Sequence, residues 1–184
     1  VFSSINADQI TKVYAVVNSA WREVWWFYPS NDSTECDRYV AWDYAENVWM
    51  TGNIERTAGV DAGTFRQPMW IDADGVLYEH EIGNQYGDED VFVETGPLMI
   101  GSGDGVVRVT SLIPDEKTQG DVTATFKTRF YPNDTETSHG PFTMANPTSV
   151  RFTGRQVRMR VDGTTNKDWR VGVMRVDATQ GGRR

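Results

Sequence analysis

Polar and apolar residues alternate with a period of two along several segments, the pattern of antiparallel strands with one buried face. The clearest segment is 122–131, where the even positions from Val122 to Phe130 share one side and Thr, Lys and Arg occupy the other. Residues 151–161 repeat this alternation, and residues 106–109 and 169–176 predict two further strands. Together these segments predict a small β-sandwich or jelly-roll-like unit.

The first part of the chain contains short apolar runs separated by turn-forming residues. Residues 13–17 and 23–28 predict one hairpin, and residues 38–44 and 47–54 predict a second. Four short antiparallel strands within about 40 residues have the size of one β-propeller blade. Apolar residues at helical spacing also leave open a short helix at residues 6–12, ahead of the first strand.

An Asp-Gly pair lies between the apolar runs at residues 66–71 and 76–82. Because a type I′ turn needs positive φ, this pair predicts a third hairpin. Glycine-containing polar stretches at residues 83–90 and 101–105 predict loops. With no pattern for a helix longer than about two turns, we expect an all-β chain, with an antiparallel β-propeller blade or blades followed by a β-sandwich or jelly-roll-like region.

The composition is typical of a folded β protein, and the acidic and basic side chains are distributed unequally between the two halves of the chain. The chain has 184 residues, of which 39% are apolar, and its seven Trp, seven Tyr and eight Phe suit half-buried strands. Residues 1–100 carry five basic and 17 acidic side chains, whereas residues 101–184 carry 13 basic and nine acidic ones. We therefore predict an acidic propeller-type domain at residues 1–98 and a basic β-sandwich-like domain at residues 99–184.

Arginines and tryptophans are the candidate interface residues. An arginine ladder in the second half suits phosphate or an acidic neighbouring subunit, and it also suits the solvated face of strands. The aromatic cluster of the first half has two interpretations, a carbohydrate-binding platform and packing between sheets or blades. Neighbouring residues Trp25 and Trp26 must point to opposite faces of their strand. The interface candidates are Arg151, Arg155, Arg158, Arg160, Arg170, Arg175, Trp25 and Trp26.

Catalytic and metal-binding motifs are scarce. With one cysteine, Cys36, and two histidines, the chain lacks the residues for an intramolecular disulfide or a multi-Cys zinc site, and acidic neighbours should raise the pKa of Cys36. It contains no nucleophile elbow and no phosphate-binding loop, and none of its 26 acidic residues is singled out as a catalytic pair. We predict no enzymatic activity and no cofactor. Cation binding at Asp72 and Asp74, or at Asp88–Asp90, stays open.

The first residue and the length of the apolar runs indicate whether the chain is part of a longer protein and whether it spans a membrane. The chain begins at Val1 without an initiator methionine, so we expect it to be a piece of a longer protein. Its longest apolar runs are far shorter than the roughly 20 residues that a membrane helix needs, so we expect no membrane partner.

Ten short motifs occur in a fixed order along the chain. They are residues 23–30 (EVWWFYPS), 37–40 (DRYV), 48–52 (VWMTG), 75–81 (GVLYEHE), 113–115 (IPD), 129–132 (RFYP), 140–141 (GP), 154–156 (GRQ), 168–172 (DWRVG) and 182–184 (GRR). In this order they resemble the C-terminal region of tail hub or nozzle proteins of tailed phages, which are similar to packaged-DNA stabilisation proteins, the tail accessory factors of short-tailed phages. The resemblance covers roughly residues 5–184.

The resemblance implies a non-enzymatic virion protein, assembled in the host cytoplasm and located in the phage tail. It implies copies of the chain in a ring, expected to be a hexamer, below the portal. Such a ring extends the DNA channel, retains the packaged genome and takes part in ejection. The implied partners are portal or adaptor proteins, other tail proteins such as needle or fibres, and passing duplex DNA without specific binding. The alternative is a carbohydrate-binding or host-receptor-binding β module of a phage tail.

Overall fold

A computed structural model shows an all-β chain in which every strand pair is antiparallel, as the alternation predicted. The chain divides into two compact units, Val1–Gly83 and Asn84–Arg184. The structure describes residues 3–84, 86, 89–101, 105–115, 118–144 and 147–183.

The first unit contains two meanders, in which strands that are consecutive in sequence are neighbours in the sheet. A short 3₁₀ helix, Ala7–Lys12, precedes them, capped by the Asn6 side chain, which accepts a hydrogen bond from the backbone N–H of Asp8. The first meander consists of β1 (Tyr14–Asn18), β2 (Glu23–Tyr28), β3 (Arg38–Asp43) and β4 (Val48–Asn53). The second meander consists of β5 (Ala58–Val60), β6 (Met69–Ile71) and β7 (Leu77–Glu79). All three predicted hairpins are confirmed, and the 3₁₀ helix lies where the sequence left a short helix open.

The turn between β6 and β7 depends on its aspartate and glycine. Gly75 has φ +84, a left-handed conformation that glycine adopts without a steric penalty. Asp72 Oδ1 accepts a hydrogen bond from the backbone N–H of Val76 at 2.9 Å, which satisfies a donor inside the turn. The local sequence alone therefore determines this hairpin.

The core of the first unit lies between the two meanders. Trp70, in the centre of the second meander, is fully buried, and its ring lies 5.1 Å from Trp25 and 5.3 Å from Phe27 in edge-on geometry. Gly59 is the cross-strand partner of Trp70, and a Cβ at this position would collide with the indole ring. Large aromatic rings thus join the two sheets of this unit.

The second unit contains a three-stranded and a larger sheet. The three-stranded sheet has the order β13-β10-β15, and the larger one has the order β12-β11-β14-β8, with β9 also beside β14. The strands are β8 (Phe92–Glu94), β9 (Leu98–Met99), β10 (Gly105–Ile113), β11 (Val122–Arg129), β12 (Thr137–Thr143), β13 (Thr148–Gly154), β14 (Gln156–Gly163) and β15 (Arg175–Arg183).

Both sheets of the second unit contribute to one buried cluster. Val109 of β10 and Phe152 of β13 come from one sheet, and Phe126 of β11 and Val157 of β14 come from the other. Burial alternates strictly along β11, which confirms the predicted buried and polar sides of that strand.

Two predicted strands were wrong. Residues 151–161 are not one strand, because the chain leaves β13 at Gly154 and enters β14 at Gln156 in the other sheet. The buried positions change parity there, from Phe152 and Gly154 to Val157 and Val161. The predicted strand at residues 169–176 was also misplaced, since β15 begins only at Arg175 and Arg170 forms an isolated bridge with Gln119.

The two units divide between Gly83 and Asn84. The charge distribution suggested a later division, between residues 98 and 99. Strands β8 and β9 pair with β14, so residues 92–99 belong with the second unit. Counted by unit, the first carries five basic and 13 acidic side chains, and the second carries 13 of each. The first unit is therefore acidic and the second is neutral in sum.

Candidate functional site

The candidate cation site at the β6–β7 turn is occupied by protein hydrogen bonds. Asp72 accepts from the Val76 backbone and from the Tyr78 hydroxyl, at 2.9 Å in both cases, and the Val76 hydrogen bond in particular lowers the pKa of Asp72. Within the described residues, no group of three or more His, Cys, Asp or Glu side chains is placed to hold a metal ion. Asp88, of the second candidate site, lies outside the described residues, as do residues 102–104 of the glycine-rich loop.

Cys36 is buried, and its thiol is not suited to nucleophilic chemistry. Its Sγ donates to the backbone carbonyl of Lys12 at 3.3 Å. Burial raises the pKa of Cys36 to about 11, and the charges of Glu35 and Asp37 add to this effect. The direction predicted from the acidic neighbours is confirmed, but burial is the larger cause.

A buried arginine and histidine connect the second meander to the aromatic core. Arg56 is 9% exposed, and its Nε donates to His80 Nε2 at 3.0 Å while its guanidinium lies 3.8 Å from the centre of the Tyr78 ring. The His80 ring lies 4.0 Å from Trp70. Burial, and then the charge of Arg56, lower the pKa of His80 to about 4. His80 is therefore a neutral acceptor that orients Arg56.

The first unit should lose stability as the pH falls from about 6.5 to about 4, because the unfolded chain binds a proton at His80 in this range and the folded chain does not. We expect a loss of about 1–3 kcal/mol after allowance for the partial exposure of the ring. Urea unfolding of the first unit in the His80→Gln variant should show a flatter pH profile, whereas His139→Gln, the matched control in the second unit, should leave the slope of the first unit unchanged. An unchanged slope in His80→Gln would contradict this assignment.

Tryptophans from three strands form a row on the face of the first meander opposite the core. Trp26 stacks on Trp49 with ring centres 6.0 Å apart, and Trp49 stacks on Trp42 at 5.7 Å. Trp49 is 61% exposed, and Tyr44 packs its edge against Trp42 at the end of the row. We call Trp26, Trp49 and Trp42 the tryptophan row.

Trp25 and Trp26 point to opposite faces, as predicted. Trp25 lies on the core side, 4.3 Å from the Tyr39 ring, and its Nε1 donates to Glu23 at 2.8 Å. Of the two tryptophan candidates, Trp25 thus packs between sheets and Trp26 belongs to the solvent-facing row.

The candidate arginines fall into different environments, and two of them are neutralised within their own sheet. Arg158 Nη1 lies 3.1 Å from Glu94, which also accepts from Lys127 at 3.1 Å, and Arg160 Nε lies 2.6 Å from Asp162. Burial acts to raise the pKa of Glu94, but its cationic partners Lys127 and Arg158 outweigh this effect, and the pKa of Glu94 is lowered overall. These arginines hold the outer face of the larger sheet together.

The remaining candidates lie elsewhere. Arg155 sits at the crossing between the sheets, with its guanidinium 5.1 Å from the centre of the Tyr131 ring. Arg170 is exposed ahead of β15. Arg151 and Arg175 are exposed on β13 and β15, and Arg108 of β10 joins them on the same sheet face. Sequence reasoning missed Arg108, although its place between the apolar Val107 and Val109 indicated an outward side chain.

The second unit has an open depression of about 230 Å³. Asp121 is the one titratable side chain of its lining, so the depression offers no acid–base pair. Its lining residues are Gly120, Asp121, Val122, Thr123, Thr143, Met144 and Thr164.

Comparisons with known proteins add no family to these observations. No protein-family model matches the chain, and no curated protein matches it at a significant level. Across the described residues, no helix has the length and apolar character needed to span a membrane.

Proposed function

We propose that this chain is a structural protein of a bacteriophage tail, a non-enzymatic subunit of a hub or nozzle ring below the portal. In this role it extends the DNA channel, retains the packaged genome and takes part in ejection. Its partners are further copies of itself, portal or adaptor proteins and other tail proteins. The ordered motifs from residue 23 to residue 184 suggest this role, and the layered architecture of the first unit supports it.

The observation that carries the proposal is the packing of two successive meanders face to face. Propeller blades are antiparallel meanders that pack in this way around a channel. The first meander has strand order β1-β2-β3-β4, and the second, β5-β6-β7, inserts Trp70 against its aromatic face. Because adjacent propeller blades pack face to face in the same way as these two meanders, this packing supports our interpretation of the first unit as a propeller segment.

The outer faces of both meanders also fit this interpretation. The first presents the tryptophan row, and the second presents Val60 and Leu77, which are 57% and 58% exposed. Exposed apolar faces of this kind are typical of surfaces that another protein layer covers. In a propeller, each blade covers both neighbours.

The second unit is consistent with the β-sandwich-like region of the proposal, because its two sheets share one core. Its short edge strands expose Phe92, Val93, Leu98 and Met99, each between 46% and 64%. Apolar edge strands tend to pair with other chains unless they are covered. This property suits a subunit that is stable in a ring and not alone.

Charge fits a channel through which DNA passes. The chain has a net charge of −8, and its first unit carries 13 acidic side chains against five basic ones. Phosphate contacts from Lys and Arg dominate the affinity of proteins for DNA, so an acidic lining repels the duplex and lets it slide.

The decisive experiment is localisation on virus particles. Antibodies raised against the purified chain should label the tail just below the head when phage particles from host lysates are examined by immunogold electron microscopy. Particles with tails removed serve as the control and should lose the label. Labelling confined to host material, with none on particles, would refute the proposal.

A second candidate function is binding of a carbohydrate receptor, and the tryptophan row is the observation that favours it. Stacked aromatic rings on a β-sheet can bind the apolar faces of sugar rings. Trp49 is exposed, so a ligand can reach its ring. Asn47, which accepts a hydrogen bond from Trp42 Nε1 at 3.2 Å, supplies a polar group beside the row.

Glycan-array binding separates the two functions. Under the tail-ring proposal we expect the wild-type chain to bind no glycan. If it binds one, Trp49→Ala should weaken binding about tenfold or more, by analogy with nucleic-acid bases, whose stacking on an aromatic side chain contributes about 1–3 kcal/mol per base. Trp21→Ala is the matched control, since Trp21 is 58% exposed but lies outside the row. Selective loss in Trp49→Ala would favour the receptor-binding function.

A further inference from the structure

The three-stranded sheet of the second unit has an outward surface that carries three arginines. Arg108 lies on β10, Arg151 on β13 and Arg175 on β15, and all three are exposed. We call them the arginine face. We infer that the arginine face docks against the acidic first unit of a second copy of this chain. The inference rests on the proposed ring and names the contact that joins its subunits.

Strand register places these side chains on one surface. Arg108 is paired with Thr153 on one side and with Thr179 on the other, so it occupies the middle strand. The opposite surface of the same strands holds Val109, Val150 and Phe152, which are buried in the core. Because side chains alternate along a strand, the arginines must point away from that core.

The charges of the arginine face are not neutralised within the described residues. No ion pair of the described chain involves Arg108, Arg151 or Arg175, in contrast with Arg158 and Arg160 on the larger sheet. The remaining side chains of this face include Thr110 and Thr153, together with a single carboxylate, Asp177. The charges that this surface carries are positive in sum.

The first unit supplies the complementary charge. Its net charge is −8, and Lys12–Glu35 is the ion pair that the structure places among its described residues. Carboxylates such as Glu46, Glu55 and Glu79 are exposed. Arginine binds carboxylates with two parallel hydrogen bonds, which gives such a contact both strength and a defined orientation.

Duplex DNA is the competing occupant, and the charges favour the second copy. Three phosphate contacts give only weak, salt-sensitive affinity, since proteins that hold DNA typically neutralise about 6–10 phosphates. The net charge of −8 of the whole chain adds repulsion from DNA. The same charge distribution favours contact between an acidic unit of one copy and an arginine face of the next.

Such a contact joins two different surfaces and is therefore heterologous. A heterologous contact leaves one free surface at each end of a dimer, so it produces a closed ring or an open filament. This is the symmetry that the proposed tail ring requires.

The test is sedimentation velocity of the full chain over a concentration series at about 50 mM and about 500 mM salt. We expect association at low salt that weakens at high salt. The triple variant R108E/R151E/R175E should associate at least about tenfold more weakly. The matched control is R66E/K167E/R170E, which makes the same change in net charge at exposed cations off the arginine face and should stay within about twofold of wild type.

Mixing provides a second readout. The triple variant keeps its acidic first unit, so it should cap the wild-type chain and convert larger assemblies into dimers. Circular dichroism of each variant shows whether it is folded. Equal association of the triple variant and wild type, equal loss in the control, or absence of any association would each overturn the inference.

Binding of duplex DNA, measured for wild type and for the triple variant, tests the competing occupant of the arginine face. We expect no duplex binding by wild type at physiological salt, and binding that disappears in the triple variant without self-association would assign the face to DNA and overturn the inference. Immunogold labelling is independent of these results. If the antibodies label the tail but the triple variant associates as strongly as wild type, the proposed function stands and only the inferred contact is refuted.

Discussion

Replacement of Trp70 by alanine is expected to destabilise the first unit by about 3–5 kcal/mol. The side chain is fully buried, and it contacts aromatic rings of the first meander as well as His80 of its own segment. Its removal leaves a cavity between two sheets that the surrounding rings cannot fill. Because domains of this size are stable by only about 5–15 kcal/mol, the variant should be partly or fully unfolded in this unit.

Urea unfolding followed by near-ultraviolet circular dichroism measures this loss, and hydrogen exchange localises it to strands β1 to β7. Trp49→Ala is the matched control, because the same residue type is removed at a position that is 61% exposed. We expect the control to cost less than about 1 kcal/mol. Equal costs for both variants would show that the Trp70 contacts do not hold the two meanders together.

Phe126→Ala is expected to destabilise the second unit by about 3–5 kcal/mol. Phe126 is 2% exposed, and its ring lies 4.8 Å from Phe152 of the facing sheet and 6.3 Å from Phe142 of the neighbouring strand. Its loss removes a ring contact that one sheet makes with the other in the shared core.

Chemical unfolding measures the effect, with hydrogen exchange read over β10 to β14. Phe92→Ala serves as the control, because Phe92 is 46% exposed on the edge strand β8. A Phe92→Ala cost as large as that of Phe126→Ala would mean that the edge strand, and not the shared core, limits the stability of this unit.

Local signals predicted the elements that depend on residues close together in sequence. The β6–β7 hairpin follows from Asp74-Gly75, and the buried side of β11 follows from its alternation. The error at residues 151–161 was also local in origin, since the parity of apolar positions changes between Phe152 and Val157. Such a change marks a break in a strand, because side chains of an unbroken strand keep one parity.

Other features were beyond any local signal. Strand β12 contains Gly140-Pro141, and proline within a strand pattern argues against a strand, although an edge strand such as β12 tolerates it. The compact units divide between Gly83 and Asn84 because β8 pairs with β14, although Glu89, Asp90 and Glu94 resemble the first half of the chain in charge.

For the candidate surfaces, the order of residues along the chain was enough to establish which side chains share a strand face, because that periodicity is set within each strand. It separated Trp25 from Trp26 and indicated that Arg108 points outward. The neutralisation of Arg158 by Glu94 could not be read in this way, because the two residues are 64 positions apart and meet only through the pairing of β8 and β14. Long-range strand pairing therefore determines which arginines are left exposed for a partner, since the electrostatic partner of a side chain is whichever charge the folded sheets bring beside it.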